Sequence, residues 1–255
     1  MSGIAGILSL DGAPVDRGLI TAMTEAVRHR GPDAGDVRIE GAVGLGHRMM
    51  SATPEAPHEH QPLLDAVTGS CVVLDGRIDN RAELLSALDL RAHPETTDAA
   101  LLLIGYRTWQ EELPRRLVGD FAFAIWDARN RRLFCARDIL GIRPFVYASR
   151  PGRFVFASEV HQLFLDPTLP GAINEGMAGE YLAWAITTPD ETLFEAVKRL
   201  PAAHSLTVGP DGVRVERYWE LASAPEIRHR SLDDYVLHLR EILDAAVASR
   251  LRARG

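Results

Sequence analysis

Apolar runs of four to eight residues recur at positions 3–10, 44–48, 71–74, 122–127, 133–137, 145–148 and 154–158. Runs of that length, bounded by turn chemistry, are the signature of strands. Asp11-Gly12, Asp75-Gly76, Pro151-Gly152 and Asp211-Gly212 stand where hairpins reverse, because glycine takes the positive φ of a tight turn without steric cost. A polar stretch at 127–132 separates two apolar runs in the same way, so the sheets are expected to be antiparallel. Helical spacing appears at 16–29, 81–88, 97–113 and 175–184. In the third of these Leu101, Leu102, Ile104 and Leu113 form the expected buried stripe, and Thr96 or Thr97 the cap. No regular βαβ repeat is present, which excludes a doubly wound parallel sheet. Antiparallel sheets with helices outside them give a layered α+β domain.

The 255 residues, 46% hydrophobic and 25% charged, are enough for one sizeable core. A formal charge of −7 excludes the basic footprint of a nucleic-acid binder, and Arg250, Arg252 and Arg254 are too few to reverse it. No apolar run approaches the roughly 20 residues of a membrane span, and the amino terminus lacks the regions of a signal peptide. The expected location is cytoplasmic, with no membrane and no nucleic acid as partner. Cys71 and Cys135 fall in strand-like runs and read as reduced, buried small hydrophobes. His29 and His47, beside arginines, read as hydrogen-bonded structural residues; no cluster has metal-ligand spacing, so no metal is expected. Arg137-Asp138 and the segment 28–33 read as internal ion pairs and turn formers.

After Tyr218-Trp219 a polar connector at 222–231 leads to an amphipathic helix at 232–251, with Tyr235, Leu239, Ile242, Leu243, Ala246 and Val247 on one face. That face requires a partner. It either opens a second domain or folds back on the first.

Ten segments, in order, carry a family resemblance: Arg28-His29-Arg30-Gly31-Pro32-Asp33, Gly46-His47-Arg48, Gln61-Pro62-Leu63, Asp75-Gly76-Arg77-Ile78-Asp79-Asn80, Thr97-Asp98, Gly119-Asp120-Phe121-Ala122-Phe123-Ala124, Ala136-Arg137-Asp138-Ile139-Leu140-Gly141-Ile142-Arg143-Pro144, Phe156-Ala157-Ser158-Glu159, Lys198-Arg199-Leu200-Pro201 and Arg217-Tyr218-Trp219. With the opening Met-Ser-Gly-Ile-Ala-Gly-Ile, the chain resembles the class II glutamine amidotransferase half of the asparagine synthetase family. The resemblance implies the four-layer αββα sandwich of the N-terminal nucleophile hydrolases over 1–221. It also implies that 222–255 is the connector and first helix of a synthetase domain otherwise absent.

The resemblance also places a glutamine pocket, in which four functional positions are altered. The family nucleophile is a cysteine at position 2, and here it is Ser2. A hydroxyl is a far poorer nucleophile near neutral pH than a thiol. An oxyanion-donating asparagine is expected where Asp75 stands, before Gly76; an ionised carboxylate has no proton to give, and one lost donor costs about 10²–10³ in rate. The next family position is acidic, and here it is Arg77. The carboxylate-binding arginine corresponds to Met49, with Arg48 on the neighbouring, non-binding position. Gly76 and Asp98, the latter the contact for the substrate ammonium, keep the family chemistry. The expected site is thus Ser2 as a vestigial nucleophile, Asp75 and Gly76 as the remnant oxyanion loop, and Asp98, Met49 and Arg77 as glutamine-pocket positions.

Two groups resembling asparagine synthetase carry such a domain without using ammonia, the β-lactam synthetases and the macrolactam synthetases (cyclases) of lasso peptides. Both activate a carboxylate with ATP and Mg²⁺ in a domain opened by a Ser-Gly-Gly-x-Asp-Ser loop, which does not occur here. The implied function is the glutaminase-inactive N-terminal domain of an ATP-dependent amide-forming ligase, with a lasso peptide cyclase preferred. No cofactor is expected in this chain itself. The implied partners are the C-terminal synthetase domain, a precursor peptide and biosynthetic partner proteins, with a homodimer as the assembly. The competing expectations are a working amidotransferase using Ser2 and a stand-alone peptide- or partner-binding scaffold.

Overall fold

The computed structural model describes residues 1–91, 93, 95–221 and 226–252. The expected domain boundary at 221/222, most of the N-terminal half of the connector, and Arg254 lie outside these residues. Twelve strands are described: β1 (Gly3–Ser9), β2 (Ala34–Glu40), β3 (Val43–Met49), β4 (Leu63–Leu64), β5 (Cys71–Ile78), β6 (Gly119–Asp127), β7 (Arg132–Arg137), β8 (Val146–Arg150), β9 (Arg153–Ala157), β10 (Lys198–Arg199), β11 (His204–Gly209) and β12 (Gly212–Arg217). The helices are α1 (Arg17–Glu25), α2 (Arg81–Ala87), α3 (Asp98–Trp109), α4 (Val160–Leu163), α5 (Glu175–Leu182) and α6 (Leu232–Arg250).

The strands form two six-stranded sheets, ordered β10-β8-β9-β1-β3-β2 and β12-β11-β7-β6-β5-β4, with every pairing antiparallel. Side chains alternate across a strand, so each central strand feeds two apolar layers. Ile4 and Leu8 of β1, Cys71 and Val73 of β5, Leu133 and Cys135 of β7, and Phe154 and Phe156 of β9 meet between the sheets. The intervening residues face outward: Ala5, Ile7 and Val155 pack under α1 and α4, whereas Val72, Leu74, Phe123 and Phe134 pack under α3. The result is the expected αββα order. Burial on both faces explains why the central strands read as nearly continuous apolar runs.

The differences from expectation have local causes. Asp75-Gly76 is no hairpin turn; β5 runs through it to Ile78, paired throughout with β6. Gly76 has φ +154°, and a Cβ there would sit 2.2 Å from the Asp120 carbonyl, so the glycine serves close strand approach rather than chain reversal. β2 escaped detection because it is an edge strand with few apolar residues. α3 starts one residue later than expected, with Thr97 as its cap accepting from the Ala100 amide, and stops at Gln110, whose φ of +50° passes the chain into a 3₁₀ turn. On α3, Ile104 is only half-buried and Leu103 takes its place in the core. The apolar face of α6 is solvent-exposed along its length. Arg137 and Asp138 do not pair. Arg137 donates to the carbonyls of Gly141, Arg143 and Leu200, and Asp138 accepts backbone amides. Cys71 and Cys135 are both free and buried, and burial pushes the Cys71 thiol up to about 12. No helix among the described residues is long and apolar enough to cross a membrane.

Candidate functional site

One cavity of about 280 Å³ lies where the start of β1 and the end of β3, in the first sheet, face β5 in the second. It is lined by all six residues singled out above: Ser2, Met49, Asp75, Gly76, Arg77 and Asp98. The volume is just below the roughly 300–1,000 Å³ of ligand pockets. Pairing of β1 with β3 sets Gly3 opposite Arg48 and so brings Ser2 beside Met49 and Met50. The Ser2 hydroxyl accepts from the Met50 amide at 3.2 Å, and its carbonyl accepts from Arg30 Nε at 2.8 Å.

Asp75 forms the floor and has no exposed surface. Arg30 Nη2 donates to its Oδ2 at 2.7 Å, while Arg143 Nη1 stands 3.8 Å from Oδ1, beyond hydrogen-bond reach. Oδ1 therefore has no hydrogen-bond partner. Burial pushes the carboxyl up from its ordinary range, opposed by the charges of Arg143 and Arg30. The group is an acceptor held between two guanidiniums. It does not pair with Arg77, which instead donates to Asp79 Oδ1 at 2.7 Å.

Strand alternation decides the fate of Arg48 and Met49. Met49 points into the cavity. Arg48 points to the other face, donating to the Gly31 carbonyl at 2.9 Å and to Glu25 at 3.1 Å. No guanidinium replaces Met49 from the next position.

Asp98 sits in the first turn of α3. Its Oδ2 accepts the Ile78 amide at 2.9 Å, and Arg81 donates to Oδ1. Glu59 lies behind it; burial first, then the Asp98 charge, raises its carboxyl to about 7. His47 is buried with Nε2 3.1 Å from the Leu74 carbonyl, and burial lowers its imidazole to about 4, so it is neutral and donates there at physiological pH. None of these groups is poised beside the Ser2 hydroxyl as a base.

The Glutamine amidotransferase domain family matches residues 1–219. The chain belongs to the glutamine amidotransferase domain family. This amidotransferase domain is 32% identical over 257 residues to asparagine synthetase [glutamine-hydrolyzing] 3 of Bacillus subtilis, covering 98% of this chain and 41% of that protein. It is 31% identical over 271 residues to a putative asparagine synthetase [glutamine-hydrolyzing] of Mycobacterium bovis, again covering 41% of the relative and 99% of this chain. It is thus a glutamine amidotransferase domain of asparagine synthetase-like proteins, spanning about two fifths of the length of these relatives. Among solved structures, the glutamine phosphoribosylpyrophosphate amidotransferase of Bacillus subtilis complexed with ADP and GMP superposes with a TM-score of 0.61 at 16% identity, over 85% of this chain and 49% of that one. That likeness identifies the N-terminal nucleophile hydrolase fold.

Arg30, Arg143 and Glu59 complete the amidotransferase cavity and were not singled out from the sequence. Arg30 and Arg143 lie inside the recognised segments, and the signal that would have found them is Asp75 itself: a buried carboxylate in place of an amide requires cations nearby. Glu59 carries no such signal.

Proposed function

We propose that this domain is the glutaminase-inactive amidotransferase domain of an asparagine synthetase-like, ATP-dependent amide-forming ligase. The clamp on Asp75 by Arg30 and Arg143 carries the reading. The oxyanion position holds a carboxyl engaged by cations, so a developing negative charge there meets another acceptor instead of an amide donor. Ser2 lacks a thiol, and Met49 lacks the guanidinium that the resemblance places at the carboxylate-binding position. A ligase whose amine is already part of its substrate has no need of ammonia. A lasso peptide macrolactam synthetase is the member we favour, on the opening Met-Ser-Gly-Ile-Ala-Gly and the Ala- and Arg-rich composition. ATP and Mg²⁺ then belong to a synthetase domain, and a precursor peptide to that domain's substrate site.

Restoring the three family groups together tests the reading. Ser2→Cys with Asp75→Asn and Met49→Arg is expected to recover glutamine binding in calorimetry, and Ser2→Cys alone is not. Glutamine binding by the unaltered chain would overturn the proposal. For the ligase class, the coding frame beyond Gly255 is expected to encode a Ser-Gly-Gly-x-Asp-Ser loop; a frame without one favours a scaffold.

A further inference from the structure

α6 buries none of its residues, and Leu239, Ile242, Leu243 and Val247 are each more than half exposed. Its last turn is different. Arg250 donates to both oxygens of Asp120, at 2.6 and 2.8 Å, and lies 3.4 Å from Asp79. Two residues past the end of the helix, Arg252 Nη1 donates to Glu55 Oε2 at 2.6 Å, and Nη2 to the Ile78 carbonyl at 2.9 Å and Asp98 Oδ2 at 3.2 Å. Arg77 donates to the carbonyl of Ser249. That carbonyl is one of the last four of a helix, which lack intrahelical donors, and a guanidinium there also meets the negative end of the helix dipole.

These contacts give one altered and one retained pocket position a shared purpose. Arg77, the basic residue at a position the resemblance makes acidic, caps the end of α6. Asp98, the ammonium-contact position, is held on one side by Arg81 and on the other by Arg252. Without Arg252, Glu55 and Asp98 would share Arg81 alone, leaving one negative charge uncompensated among groups that are mostly shielded from water.

We propose that the mouth of the cavity is a docking site for the last turn of α6, in which Arg252 fills the ammonium subsite with a guanidinium from the same chain. The docked helix and an amino-acid ligand at Asp98 exclude one another. The surface that receives it is an acidic arc, Glu55, Asp79, Asp98 and Asp120, with Arg77 at its centre. Its ligand class is a helix end bearing two arginines at i and i+2. The proposal rests on Asp98 being the ammonium subsite, not on the pocket being inactive, so loss of glutaminase activity and loss of docking are separable.

Hydrogen–deuterium exchange of the full chain tests it. In the unaltered protein, residues 246–250 are expected to exchange more slowly than 233–240 of the same helix. Arg250→Asp is expected to speed exchange at 246–250 by about tenfold, the scale of one lost bidentate charge pair, with protection in 121–137 unchanged as a sign that the sandwich is intact. Adding Asp120→Arg to Arg250→Asp should restore protection, and Arg252→Ala should raise exchange at 76–79. Equal exchange at 246–250 in the unaltered and Arg250→Asp chains, or no recovery in the charge-swapped pair, would overturn the docking.

Discussion

Two buried carboxyls of the second sheet, on either side of β6, are treated in opposite ways. Asp138, just after β7, accepts four backbone amides: Leu140 at 3.1 Å and Ile142 at 2.9 Å on Oδ1, Phe121 at 3.3 Å and Arg143 at 3.0 Å on Oδ2. Asp75, within β5, has one donor on Oδ2 and none on Oδ1. The first carboxyl builds a loop, since three of its bonds fold 138–143 into a turn and the fourth ties that turn to Phe121 of β6. The second is met by what that loop delivers, because the same turn carries Arg143 toward it. Complete satisfaction by backbone marks a structural carboxyl. An acceptor left open toward a cavity marks a site, where polar groups are tolerated incompletely because a ligand or a lost function once completed them.

The largest effect is expected at Asp138. Asp138→Ala strands the buried Phe121 amide and three part-buried amides of the loop, and the expected loss is about 4 kcal/mol, read as a fall in Tm of roughly 10 °C for a domain of this size. A loss under about 1 kcal/mol would show that the loop does not depend on the carboxyl.

Glu59 is a third case, a part-buried carboxyl raised to about 7 by loss of solvent and by Asp98. A carboxyl whose folded pKa is raised keeps its proton in the native state after the unfolded chain has released it. Its neutral form costs nothing below the unfolded value near 4.5, and stability is then lost as pH rises from there to about 7. Glu59→Gln is therefore expected to stabilise the domain by about 3 kcal/mol at pH 8 and by almost nothing at pH 4. Urea unfolding at the two pH values measures the difference, and an equal effect at both would contradict the burial of an uncompensated carboxyl.

Asp75→Asn is the smallest of the three. Burial already pushes this carboxyl up from its ordinary range, the amide oxygen still accepts from Arg30, and Arg30 keeps its bond to Glu159 at 3.1 Å, so a change of no more than about 1 kcal/mol is expected rather than the 3–5 lost from a fully broken buried pair. A loss as large as that at Asp138 would mean that the site carboxyl is part of the scaffold.

The layers of the sandwich were legible because a doubly covered strand has to be apolar at nearly every position, as β5, β6 and β7 are. Edge strand β2 was not, since solvent on one side removes that requirement. The Asp75-Gly76 pair misled because a glycine needed for strand contact and one needed for a turn leave the same trace. All six site residues were readable from the resemblance and converge on one cavity. The partners of Asp75 and Asp98 were not readable: Arg30 lies 45 residues from Asp75 and Arg252 lies 154 from Asp98, and only the folded chain brings such charges together.

We propose that this cavity does not cleave glutamine. The direct measurement is glutamate released from millimolar glutamine by the purified chain and by its Ser2→Ala variant. No release above the uncatalysed background is expected from either protein; release that Ser2→Ala abolishes would contradict the proposal.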